Sequence, residues 1–133
     1  MKYFPSLDPM EFWLSFEWFR WQSHSSRWNL SVDEQLVILG NVDPKLYSIW
    51  TFNFSESLTA PDHLKMRLGI LLGVHQFSIR VAPDNNISLA NNWFSVPISD
   101  TVLNGCSVRD YLLKDSSVSS FRNLEYFLLS YDF

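Results

Sequence analysis

The chain has 133 residues, of which 47% are apolar and 17% aromatic, so it can bury the core of one domain and does not resemble a disordered chain. Its 10 Lys and Arg against 14 Asp and Glu give a net charge of −4, which lacks the basic excess typical of nucleic-acid binders. The single cysteine, Cys106, excludes an internal disulfide and a cysteine-based metal site. With no secretion signal at its N-terminus and no apolar run long enough to span a bilayer, we expect a cytoplasmic protein.

The first predicted helix covers Met10–Gln22 and follows Asp8-Pro9, an N-cap acid with proline at the first helical position. Phe12, Phe16 and Phe19 share one face, and further apolar residues cover much of the rest. A helix that is apolar nearly all round is either buried or covered by a partner. We therefore expect a homodimer.

Two short helices are predicted next. Ser31 and Glu34 form the pattern of a capping box, and Gly40-Asn41 ends the helix that they begin. The third helix is predicted over Val42–Trp50, with Asp43-Pro44 at its start in the same way as Asp8-Pro9. Its inner face is expected to be formed by Leu46, Ile49 and Trp50. Two short helices joined by a turn that contains glycine are typical of a helix-turn-helix.

The second half of the chain is also predicted to be helical. The longest helix is expected over His63–Val81, and a short one over Ile87–Phe94 is stopped by Pro97. Ser107 is expected to cap a helix over Val108–Lys114. The last helix is predicted over Val118–Ser130, with Val118, Phe121, Leu124 and Leu128 on one face. No run alternates as a strand would, so the fold class is all-α, a compact bundle of about six to seven helices.

The residues give no support for catalysis. The three histidines, at positions 24, 63 and 75, have no metal-binding spacing, and neither a nucleophile elbow nor a glycine-rich phosphate loop occurs. We therefore expect no enzymatic activity, no cofactor and no metal.

Three short motifs occur in order: Ala90-x-x-Trp93-x-x-x-Pro97, then Leu103-x-Gly105-x-Ser107, then Leu112 and the closing helix. They resemble the toxin-binding domain of Xre/MbcA/ParS-type antitoxins. Residues 28–50 are similar to the helix-turn-helix-like segment of that family, and residues 64–84 to its long central helix. The resemblance covers about 27–130 and divides the chain into an N-terminal helix (1–26), a helix-turn-helix-like segment (27–60) and a toxin-binding domain (61–133).

The resemblance implies an antitoxin that binds a cognate RES-type toxin, an NAD-degrading enzyme, and occludes its active site. On this interpretation Pro97, Gly105 and Ser107 shape a structural turn. The toxin-binding residues are Trp93, Leu124, Phe127, Leu128, Tyr131, Asp132 and Phe133. Trp93 has a second interpretation, as a buried anchor of the corner, and the two roles are compatible.

Many members of that family also bind their own operator. The corresponding DNA-binding residues here are Lys45, Tyr47 and Ser48, although a single cation is little for phosphate contact. Two alternatives remain: a helix-turn-helix transcriptional regulator, and an interaction scaffold that docks through the aromatic helix Met10–Gln22.

Overall fold

The computed structural model describes residues 9–53, 60–100 and 102–130. These ranges contain seven α-helices and no strand, which confirms the all-α prediction. Helix boundaries lie within two residues of those predicted. The helices are α1 (Pro9–Gln22), α2 (Val32–Ile38), α3 (Pro44–Phe52), α4 (Asp62–Val81), α5 (Ile87–Trp93), α6 (Val108–Lys114) and α7 (Val118–Leu129).

Helix α4 is the centre of the bundle and contacts α1, α5 and α7. Its apolar face is buried, with Leu64, Leu68 and Leu71 all 0% exposed. The remaining contacts pair α1 with α3 and α2 with α6. One core cluster includes residues from α1 through α7, so every helix is fixed by apolar contact with the others.

Helix α1 divides its apolar residues between the core and the surface. Phe12 and Phe16 are 0% exposed, and their ring centroids lie 4.9 Å apart. Met10, Leu14 and Trp21 are each more than half exposed. At about 100° per residue these three positions lie within about 40° of one another on the helix surface. The predicted all-round apolar helix therefore has one buried face and one exposed apolar stripe.

The two caps predicted for α2 and α3 are present. The Ser31 amide donates to Glu34 Oε1 at 2.9 Å, and the Glu34 amide donates to Ser31 Oγ at 3.1 Å. Asp43 accepts a hydrogen bond of 2.8 Å from the Lys45 amide at the start of α3. Each cap satisfies backbone donors that the first helical turn leaves unpaired, which explains why the chain turns at these positions.

The predicted inner face of α3 was wrong in two of its three members. Leu46 and Ile49 are both 45% exposed, whereas Trp50 is buried as expected and Tyr47 is buried with it. The centroid of the Phe16 ring of α1 lies 5.9 Å from that of the Tyr47 ring, so the face of α3 that contains Tyr47 and Trp50 packs against α1. A tyrosine can be buried here because its hydroxyl finds a hydrogen-bond partner.

Arg67 of α4 joins the end of α2 and the turn before α7 in the interior. Arg67 is only 4% exposed. Its guanidinium donates hydrogen bonds to His63 Nδ1 at 3.1 Å and to the Ser116 carbonyl. The guanidinium carbon lies 4.9 Å from the Phe121 ring centroid. Gly40, in the turn after α2, packs directly against the same guanidinium. Burial lowers the pKa of Arg67, so its hydrogen bonds offset a desolvation cost.

Candidate partner-binding surfaces

The chain between α5 and α6 is a closed corner, which the structure describes at residues 94–100 and 102–107. The Ile98 amide donates to the Cys106 carbonyl at 3.2 Å, and the Arg109 amide donates to the Phe94 carbonyl at 3.0 Å. Leu103, between these two bridges, is 0% exposed. The corner is therefore held by hydrogen bonds at both ends and by a buried side chain between them.

The three predicted turn residues have different roles in this corner. Gly105 has a φ of +77°, and a Cβ atom placed there would meet no heavy atom within 4 Å, so only backbone conformation favours glycine. Ser107 is buried and accepts a 3.1 Å hydrogen bond from the Asp110 amide, as the predicted cap of α6. Pro97 is exposed and fixes the backbone where α5 has ended.

The two roles predicted for Trp93, buried anchor of the corner and partner contact, are divided between Phe94 and Trp93. Phe94 is the buried residue and Trp93 is the partly exposed one. Phe94 is 0% exposed and stacks on Trp28, with ring centroids 4.0 Å apart and planes 8° from parallel. Trp93 is only partly buried, with its ring centroid 5.1 Å from that of Phe77. Phe94 was not predicted as the anchor, since the two adjacent aromatics give no local signal of which one faces the core.

Residues 85–99, which we name the uncharged segment, contain no Asp, Glu, Lys, Arg or His. Within it, Ile87 is 56% exposed, Leu89 is 46% exposed and Val96 is 39% exposed. The centre of a protein–protein interface is depleted in charge and enriched in aromatic side chains. The uncharged segment and the partly exposed Trp93 have this composition.

The predicted toxin-binding residues of the last helix lie in the core. Leu124, Phe127 and Leu128 are 0%, 2% and 5% exposed, and α7 packs on α4 through this face. A partner cannot reach them while α7 stays in place, so their position assigns them to packing. Val118, expected on the same face, is instead 45% exposed. Tyr131, Asp132 and Phe133 lie outside the described residues.

On the outer face of α7, Tyr126 is 70% exposed. Tyr126 was not predicted as a binding residue, although its position between buried Leu124 and Phe127 places it outside the apolar stripe. It is the most accessible aromatic side chain of this helix.

The residues predicted to contact DNA are separated by the fold. Lys45 and Ser48 are exposed on α3, but Tyr47 is 5% exposed and donates from its hydroxyl to Gln35 Oε1 at 3.0 Å. Burial also raises the pKa of Tyr47. Tyr47 therefore belongs to the contact between α2 and α3 and cannot reach a base edge in this conformation.

The exposed side of α3 is apolar rather than basic. Leu46 and Ile49 are accompanied by Phe52, which is 76% exposed, and Lys45 is the one cation in the helix. A recognition helix would need cations for the DNA backbone and polar side chains for base edges. This composition does not match that of a recognition helix.

Across the described ranges, no three His, Cys, Asp or Glu side chains are grouped closely enough to hold a metal ion. Within the same ranges, no helix combines the length and the hydrophobicity that crossing a membrane requires. Comparisons of the chain with protein-family models, with curated proteins and with solved structures return no match. The family resemblance of residues 27–130 thus remains a prediction that depends on its motifs.

Proposed function

We propose that this chain is an antitoxin-like protein that binds a cognate toxin of the RES type in the cytoplasm and occludes its active site. The observation that carries the proposal is the uncharged segment, which combines exposed apolar side chains with a corner fixed by hydrogen bonds. A surface that is already ordered loses little conformational entropy on binding, so more of its contact energy becomes affinity.

The proposed inhibition is passive. The partly exposed Trp93 supplies an aromatic anchor, of the kind that dominates binding energy in protein interfaces. Tyr131, Asp132 and Phe133 extend the proposed contact into the toxin's cleft, where two aromatic rings and a carboxylate complement a pocket that holds an anionic dinucleotide. Occlusion of this kind requires no catalytic group in the antitoxin.

We also propose that the chain forms a homodimer through the exposed stripe of α1. Met10, Leu14 and Trp21 expose apolar surface along one helix face, and pairing with a second copy would remove it from water. Sedimentation equilibrium on the wild type and on Leu14→Asp tests this contact. The wild type is expected to be a dimer and the variant a monomer, whereas a monomeric wild type contradicts the proposal.

The chain offers a matched pair of variants to test the toxin contact. Leu89 and Leu46 are both the third residue of a short helix, and they are 46% and 45% exposed. An aspartate at either position lies near a helix N-terminus, where its charge is tolerated. Leu89→Asp alters the uncharged segment and Leu46→Asp alters α3, so the two differ in location rather than in chemistry.

Each variant is co-expressed with the protein encoded by the adjacent gene, and copurification of the two proteins and residual NAD degradation are measured. We expect Leu89→Asp to weaken the complex by tenfold or more, about 1.4 kcal/mol, and to restore NAD degradation. Leu46→Asp should bind and inhibit as the wild type does. If both variants inhibit NAD degradation equally, or if only Leu46→Asp loses inhibition, the toxin contact lies outside the uncharged segment.

A further inference from the structure

An open cleft of about 650 Å³ lies where the C-terminal end of α1 meets the loop 23–31 and the start of α2. Its volume is within the range of small-molecule sites, about 300–1,000 Å³. Its charged lining consists of Arg20, Arg27, Arg109 and Glu34, which gives a net charge of +2. The whole chain has a net charge of −4, so the cleft concentrates positive charge on an acidic protein.

The one carboxylate in the cleft is already neutralised. Glu34 Oε1 accepts from the Ser31 amide at 2.9 Å, and Oε2 forms an ion pair with Arg109. The Ser31 amide, followed by Arg109, lowers the pKa of Glu34 below its usual value. Among the described residues, Arg20 and Arg27 have no acidic partner.

Arg27 is held in place by contacts that involve no carboxylate of the described residues. Its Nε donates to the Trp21 carbonyl at 2.7 Å, and the guanidinium carbon lies 3.7 Å from the centre of the Trp21 ring. The next residue, Trp28, is 1% exposed, and its amide donates to the Gln22 carbonyl at 2.9 Å. The buried Trp28 fixes the loop, and Trp21 fixes the side chain. Arg27 therefore has one orientation ready for a ligand.

The loop adds a further donor. The Ser26 amide donates to His24 Nδ1 at 3.1 Å, which leaves Nε2 as the ring nitrogen available to donate. Ser25 contributes a hydroxyl to the lining. Apart from the neutralised Glu34, the polar lining of the cleft is thus rich in cations and donors, which is the complement of an oxyanion.

We propose that this cleft binds a small polyanion, a molecule with two or more phosphate or carboxylate groups. Arg20 and Arg27 would each bind one oxyanion through the planar fork of the guanidinium, which matches both kinds of group. The proposal is independent of toxin binding, because it uses none of the residues of the uncharged segment.

The test is isothermal titration calorimetry of the full chain at low ionic strength, with inorganic pyrophosphate in one arm and citrate in the other. The wild type is expected to bind at least one of the two with a dissociation constant of about 1 mM or below. Added sodium chloride should weaken binding, because the cleft is open and its charges are screened by salt. The stronger arm identifies the site as one for phosphate or for carboxylate groups.

Three variants locate the site. Arg20→Gln and Arg27→Gln are each expected to weaken binding by tenfold or more. Arg80→Gln removes the same charge from an exposed position outside the cleft and should bind as the wild type does. Because Arg27 also supports the loop, circular dichroism checks each fold, and Arg20→Gln tests the site without changing the loop. The proposal is overturned if neither anion binds, or if Arg20→Gln and Arg80→Gln bind equally.

Discussion

Replacement of Gly40 by alanine tests the buried junction that Arg67 makes between α2, α4 and the turn before α7. Gly40 has a φ of +97°, and an added Cβ would lie 3.1 Å from Arg67 Cζ. Gly105 is a matched control: its φ is +77°, but nothing lies within 4 Å of an added Cβ. Both alanine variants carry the backbone strain, and only Gly40→Ala displaces the guanidinium.

The expected losses of stability follow from the backbone strain and from the displacement of the Arg67 guanidinium. A left-handed conformation costs a residue with a Cβ about 1–2 kcal/mol, which is the whole effect expected for Gly105→Ala. Moving Arg67 weakens its bonds to His63 Nδ1 and the Ser116 carbonyl, and a hydrogen bond to a charged group contributes about 1.5–3 kcal/mol. Gly40→Ala should therefore lower the free energy of unfolding by about 3–4 kcal/mol, or Tm by roughly 12 °C or more.

Urea unfolding followed by circular dichroism measures both variants against the wild type. Adding Gly40→Ala to an Arg67→Met background should cost only the strain, because the displaced guanidinium is gone. If Gly40→Ala costs no more than Gly105→Ala in the wild-type background, Arg67 is not packed as described and the junction does not contribute this stability.

Three further predictions concern stability. Burial lowers the pKa of His63, with Arg67 adding to the effect, and burial lowers that of His75. The unfolded chain, with imidazole pKa values of about 6.5, therefore binds more protons, so the free energy of unfolding should fall from about pH 7 to about pH 5. His63→Gln should flatten this decline in urea titrations, and an unchanged slope would refute the assignment. Ser31→Ala should cost about 1 kcal/mol through loss of the capping box, measured in the same way, and a neutral variant would show that the cap does not stabilise α2. Trp28→Ala should cost about 3–5 kcal/mol in a denaturant titration, while a loss below 1 kcal/mol would contradict its place in the core.

Helix starts were predictable from the sequence because caps are local. The Ser31–Glu34 box, the pair Asp43-Pro44 and Ser107 each place donor and acceptor within three residues of each other, and the structure retains all of them. The buried face of α3 was not predictable in this way. It depends on the Phe16 ring of α1, which is distant in sequence and favours Tyr47 over its apolar neighbours.

The burial of Arg67 and the cationic cleft could not be read from local patterns. An arginine is ordinarily exposed, and Arg67 is buried because His63, Ile38 and Ser116 supply acceptors from three separate segments. The cleft likewise combines α1, the loop 23–31, the start of α2 and Arg109 of α6. Spacing along the chain predicts neither arrangement, because the partners come from segments that are distant in sequence.

The most direct measurement of the proposed function is a two-dimensional ¹H–¹⁵N NMR spectrum of the labelled chain with and without its adjacent-gene toxin. The six tryptophan indoles give separate signals, among which Trp93 lies in the uncharged segment and Trp28 in the core. We expect complex formation to shift the Trp93 indole and the backbone amides of residues 87–96 and 98, with the Trp28 indole unchanged. Absence of a complex, or a complex that leaves the Trp93 indole where it was, would contradict the account.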